Sequence, residues 1–99
     1  MKMEKISISE VKINLIKPQE GLIGFASLVI NESIYLSGIG VYRKFGTNDF
    51  RLTYPTKKDG FNLFHPITKE VSKQIEEAIF QVVKTVMSKV YDRYNNINV

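Results

Sequence analysis

Between Tyr42 and Phe64 the chain interleaves rings with cations: Tyr42, Phe45, Phe50, Tyr54, Phe61 and Phe64 lie among Arg43, Lys44, Arg51, Lys57 and Lys58. Cations hold phosphates and aromatic faces stack on bases, so this mixture suits single strands or exposed bases. Strand parity divides the rings. Phe50, Leu52 and Tyr54 share one face of a short strand and are expected to face the core or a partner chain. Tyr42, Phe45 and Phe61 are left as the candidates for stacking.

Charge points the same way. Fourteen Lys and Arg against ten Asp and Glu give +4. From Arg43 to Lys58 five cations stand against Asp49 alone, so this stretch carries the whole net charge. Such a segment favours an anionic partner, nucleic acid first, with solubility as the plainer explanation.

Residues for catalysis are scarce. The absence of Cys removes disulfides, thiolate chemistry and zinc-ribbon sites. The lone His65, between Phe64 and Pro66, is expected to hydrogen-bond a turn carbonyl rather than act as a base. No Ser stands in a G-x-S-x-G elbow. Asp49, Asp59 and Asp92 lack metal-ligand spacing, and the adjacent pair Glu76-Glu77 suits a solvated helix face. Gly38-Ile39-Gly40-Val41-Tyr42-Arg43 begins like a dinucleotide fingerprint, but Arg replaces the third Gly and no helix pattern follows. These glycines are expected to mark a bulge or a close backbone contact. No catalytic residue, cofactor or metal is assigned.

The elements that must position these residues follow two periodicities, two up to Tyr54 and 3.6 after Pro66, with no linker between them. Residues 1–99 therefore read as a single α+β domain with strands at about 4–16, 22–31, 34–44 and 50–54 and a helix at about 68–92, followed by a ragged end at 95–99. The expected architecture is a four-stranded antiparallel meander with the helix packed on one face. In the first strand Ile6 and Ile8 share one parity, while Val11, Ile13 and Leu15 share the other. The slip near Ser9-Glu10 predicts a β-bulge or a later strand start. Lys17 to Gly21, Asn31 to Ser33 and Phe45 to Asp49 read as turns. In strand three, Tyr35, Ile39 and Val41 are expected on one side.

Thr68 is placed to cap the helix, helped by Glu70. The apolar stripe Ile67, Val71, Ile75, Ala78, Ile79, Val82, Val86 and Val90 would then lie on the sheet. Phe80, aligned with Lys73, Glu77 and Lys84, is expected to look outward and is the candidate dimer contact.

Strand two is apolar on both parities, and one helix covers only one face. A homodimer joined through the sheet's other face or its edges is therefore expected, the alternative being a sheet curled on itself. No apolar run approaches the ~20 residues of a membrane span, and the start Met1-Lys2-Met3-Glu4-Lys5 lacks a signal peptide's apolar core, so a cytoplasmic location is expected.

The stretch Tyr54-Pro55-Thr56-Lys57-Lys58-Asp59-Gly60-Phe61, followed by Phe64-His65-Pro66-Ile67, resembles the signature of the stage V sporulation protein G (septation regulator) family. The likeness reaches back through Val11-Lys12-Ile13 and the strands from Ile23 to Val41, and forward into the helix. The loop before His65-Pro66 is shorter than the family's, and Asn62 or Leu63 stands where the family has an Asp. The resemblance implies a small bacterial cytosolic dimer that binds DNA and RNA and regulates septation, sporulation or virulence genes. By position alone it puts Lys57 and Lys58 in the binding region. Two functions are thus expected: a nucleic-acid-binding regulator using Arg43, Lys44, Arg51, Lys57 and Lys58, or a protein-interaction module of the division machinery.

Overall fold

A computed structural model describes residues 6–44, 46 and 49–97, with side chains placed as far as residue 89. Strands β1 (Ile8–Gln19), β2 (Leu22–Ile30), β3 (Ile34–Arg43) and β4 (Phe50–Thr53) precede one helix, α1 (Lys69–Ile97). All neighbouring strands are antiparallel and lie in the order β1-β2-β3-β4, the expected meander. Phe45 and the first residues of the expected opening strand lie outside the described residues.

Left-handed residues at the first two connections explain how so short a chain reverses so sharply. Glu20 and Gly21 have φ of 51° and 93°, and Asn31 and Glu32 have 52° and 53°. Paired positive φ is the signature of turns whose twist matches the flanking strands. The first turn is thus only two residues, and β1 runs on to Gln19, where the sequence suggested a turn from Lys17. Pro18 is tolerated there because β1 is an edge strand. The Asn31 side chain ties the second turn back: its Oδ1 accepts from the Ser7 N–H at 2.8 Å, and the Asn31 N–H donates to the Ser7 carbonyl at 2.7 Å.

Of four register shifts in the sheet, one of them near the end of β1 between Leu15 and Gln19, the other three decide which side chains face the helix. The first, between Ser9 and Lys12, is the expected bulge, with Glu10 at φ 49°. It lets Ile6 and Ile8 pack on the core together with Val11 and Ile13, despite their opposite parities. The second falls between Leu22 and Gly24 and turns Ile23 inward, where it is buried. The third lies beside Gly38, whose φ of 78° only glycine adopts readily. It corrects one expectation: Ile39 and Val41 are fully buried, but Tyr35 falls on the opposite face and Leu36 takes the inward place.

The core is the layer between sheet and helix: Ile23, Ala26, Leu28, Ile39 and Val41 from the strands, and Ile75, Ile79 and Val83 from α1. Burial of each Ile, Leu or Val among them contributes roughly 1.5–3 kcal/mol. The helix begins as expected, with the Val71 N–H donating to Thr68 Oγ1 at 3.2 Å. Its facing differs from the expected stripe. Val83 takes the fully buried place given to Val82, Ile67 precedes the helix and is 88% exposed, and Phe80 packs on the core. Residues 78–80, 82, 83, 86 and 87 are all apolar, so two phases one residue apart fit the sequence equally well, and packing against the sheet selects one. With no Gly or Pro after Pro66 to stop it, α1 also continues through residues 93–97, beyond the expected end.

Candidate nucleic-acid interface

The sheet has one face under α1 and one face open. Register assigns residues to the open face, because antiparallel partners project on the same side. It bears Lys12 and Asn14 on β1, Leu22, Phe25, Ser27 and Val29 on β2, Tyr35, Gly40 and Tyr42 on β3, and Arg51 and Thr53 on β4.

The aromatic residues of the basic stretch divide as parity requires. Phe50, Leu52 and Tyr54 are half-buried and pack on the core. Phe50 meets Phe80 with ring centroids 6.0 Å apart, and Tyr54 meets Phe64 edge-on, also at 6.0 Å. Phe80 is therefore engaged within its own chain, and the outward contact expected of it is corrected. Of the candidates for stacking, Tyr42 lies half-buried on the open face, and Phe61 is exposed in the loop after β4.

The five cations are not gathered into one cluster and do not share one face; they lie around β4, at its two ends and on its open side. Arg51 reaches across its strand partner, with its guanidinium 4.6 Å from the centre of the Tyr42 ring. Arg43 pairs with Phe50 and so projects on the helix side, exposed at the strand end. Lys44 follows it, its N–H donating to the Asp49 carbonyl at 2.9 Å to close the β3–β4 hairpin. Lys57 and Lys58 lie past the other end of β4 in a tight turn. There the Gly60 N–H donates to the Lys57 carbonyl at 2.9 Å and the Lys57 N–H to the Phe61 carbonyl at 2.7 Å. Lys57 stands six positions beyond Arg51, at most about 20 Å of extended chain. Asp59 turns into the same loop, its Oδ1 accepting from the Phe61 N–H at 3.3 Å.

Two open-face rings escaped the sequence reading. Phe25 is 42% exposed and Tyr35 is 67% exposed. Gly38 was the available signal for Tyr35, since a bulge there reverses the parity of everything before it.

Behind the sheet, the loop carrying His65 closes an apolar cavity of about 250 Å³ lined by Ile30, Leu36, Tyr54, Phe64, Val71 and Ile75. His65 Nδ1 donates to the Pro66 carbonyl at 3.1 Å, the kind of turn contact its position suggested. The Tyr54 hydroxyl is buried without a hydrogen-bond partner, and its pKa is pushed up to about 12 by burial and, secondarily, by the Glu76 carboxylate. Among the described residues, no three His, Asp or Glu side chains gather where a metal could bind, and no helix is long and apolar enough to cross a membrane. Comparison of the chain with protein-family models and with curated proteins finds no match.

Proposed function

We propose that the protein is a small nucleic-acid-binding regulator that grips a phosphate chain along the β4 edge. The observation that carries this reading is the run of exposed cations from the β3–β4 hairpin, through Arg51, to the Lys57-Lys58 turn. Across this run the Asp59 carboxylate is engaged by its own loop backbone. A line of cations suits a polyanion better than it suits a compact anion, because each side chain meets a successive phosphate. The likeness of residues 54–67 to the septation-regulator family supports the same reading and adds the regulatory role and the cytoplasmic setting.

Salt dependence tests it. Each phosphate contact adds about 0.7 to 0.9 to the slope of log affinity against log salt. Replacing Lys57 and Lys58 together with Ala should flatten that slope by up to about two. Unchanged affinity and slope in the doubly substituted protein overturn the assignment.

A second reading, protein recognition, is favoured by one observation. Phe61 is 71% exposed, Leu63 of the same loop is exposed as well, and the exposed Ile67 lines the apolar cavity. Such a rim suits an apolar partner surface, including a second copy of this chain or a division protein. Capture that survives nuclease treatment would favour this reading. A solution mass of 11.4 kDa by light scattering would exclude the homodimer.

A further inference from the structure

The open face of the sheet is more than the unused side of a two-layer fold. Phe25 and Tyr35 are exposed there, at 42% and 67%, and Tyr42 lies between β2 and β4 with the Arg51 guanidinium 4.6 Å from the centre of its ring. Phe25 stands directly opposite Gly40, and Tyr42 is two residues further along β3. Diagonal neighbours of this kind lie about 7–8 Å apart. Gly40 between them is covered by its neighbours, for a Cβ there would meet Thr53 Oγ1 at 2.5 Å and the Tyr42 ring at 3.4 Å. Rings a short step apart on the open side of a sheet are what exposed bases stack on.

Charge selects the occupant. Lys12 and Arg51 lie on this face, and no residue paired across it is acidic. A second copy stacked face to face would bring two sets of cations together without a carboxylate to pair them, which low-dielectric burial penalises. An anionic chain with aromatic bases satisfies both the cations and the rings. Duplex nucleic acid does not, because its base faces are already stacked on one another.

We propose that single-stranded nucleic acid lies across this face, its bases stacked on Phe25, Tyr35 and the Tyr42–Arg51 pair while its phosphates follow the β4 edge. The proposal rests on the nucleic-acid reading above and names the class of strand and the stacking residues.

Fluorescence anisotropy tests it with labelled oligothymidylate, oligouridylate and a duplex, each of about twenty nucleotides. Phe25→Ala and Tyr35→Ala should each weaken single-strand binding about tenfold, within the range expected for one lost stack, and leave the salt slope unchanged. Phe25→Leu keeps apolar bulk and should lose binding as Phe25→Ala does, whereas Phe25→Tyr keeps the ring and should retain it. Wild-type single-strand affinity in all the Phe25 and Tyr35 variants overturns the platform. The phosphate edge then stands or falls separately, on the slope of the Lys57, Lys58 double variant. Failure of the unsubstituted protein to bind any of the three probes removes both readings. A doubled solution mass that reverts to 11.4 kDa in Phe25→Ala also overturns the proposal, by showing a second copy on the face.

Discussion

The guanidinium of Arg51 lies 4.6 Å from the centre of the Tyr42 ring, its partner across the β3–β4 ladder. The contact holds a flexible cation against the ring, and because a guanidinium is planar Arg51 brings a flat group as well as a charge.

Arg51→Lys separates these two properties. The charge remains, so the salt slope should stay within experimental error, while single-strand affinity falls severalfold through loss of the planar surface. Arg51→Ala should lower both, the slope by about 0.7, with a stability change of only about 0.5–1 kcal/mol for an exposed pair. Anisotropy titrations at several salt concentrations, with chemical denaturation alongside, check both variants.

Two glycines are expected to respond differently to an added methyl group. A Cβ at Gly40 meets the Thr53 side chain, whereas at Gly24 it meets the Asn14 backbone oxygen, each at 2.5 Å. Gly40→Ala should cost about 1–3 kcal/mol, and adding Thr53→Ala should recover much of the loss. Gly24→Ala should cost as much or more, with no side-chain substitution to relieve it, because the obstacle is main chain. Urea denaturation of the single and double variants measures the difference.

Removal of either ring of the Phe50–Phe80 contact should destabilise the protein. Both rings are half-buried, so Phe80→Ala is expected to cost about 2–3 kcal/mol, somewhat below the loss at a fully buried site. An outward-facing Phe80 would cost less than 0.5 kcal/mol. Thermal melts at one protein concentration distinguish these outcomes.

The shift in register of Tyr35 shows where the sequence was legible and where it was not. The slip at Ser9-Glu10 was visible because apolar residues on both sides reported the change of parity, and the bulge is there. At Gly38 the glycine marked a bulge or close contact but not its consequence: Ser37 and Gly38 give no parity, and Tyr35 is apolar enough to pass for a core residue. Pairing with β2 decides the matter, and that is a non-local fact. The helix was ambiguous for the opposite reason, too many apolar residues, and the phase containing Val83 and Phe80 wins because Phe50 lies opposite. The meander, the Asn31 to Ser33 turn, the Thr68 cap and the core side of β4 were readable, whereas the first turn is shorter than Lys17 to Gly21 suggested. The candidate cations were readable as residues, but their arrangement around β4 depended on where that strand ends.

Tyr54 gives an alkaline signature. Its folded pKa of about 12 lies above the ordinary 10, so the unfolded chain loses the proton first. Stability is therefore intact below pH 10 and falls as pH rises from 10 toward 12. Tyr54→Phe should remove this fall. It should also raise stability at neutral pH by about 1 kcal/mol, since it deletes a buried hydroxyl with no partner. Denaturation midpoints at pH 7 and pH 11 test both statements.

The two borders of the sheet differ from its middle. Along β1 the kink at Glu10 and the ring of Pro18 interrupt the ladder of free amides, and β4 contributes only four residues before the chain turns away. A border broken in this manner is a poor template for recruiting a stranger's strand. The molecule can therefore leave a broad, ring-bearing plane bare to solvent without seeding the edge-to-edge polymers that such flat surfaces otherwise invite.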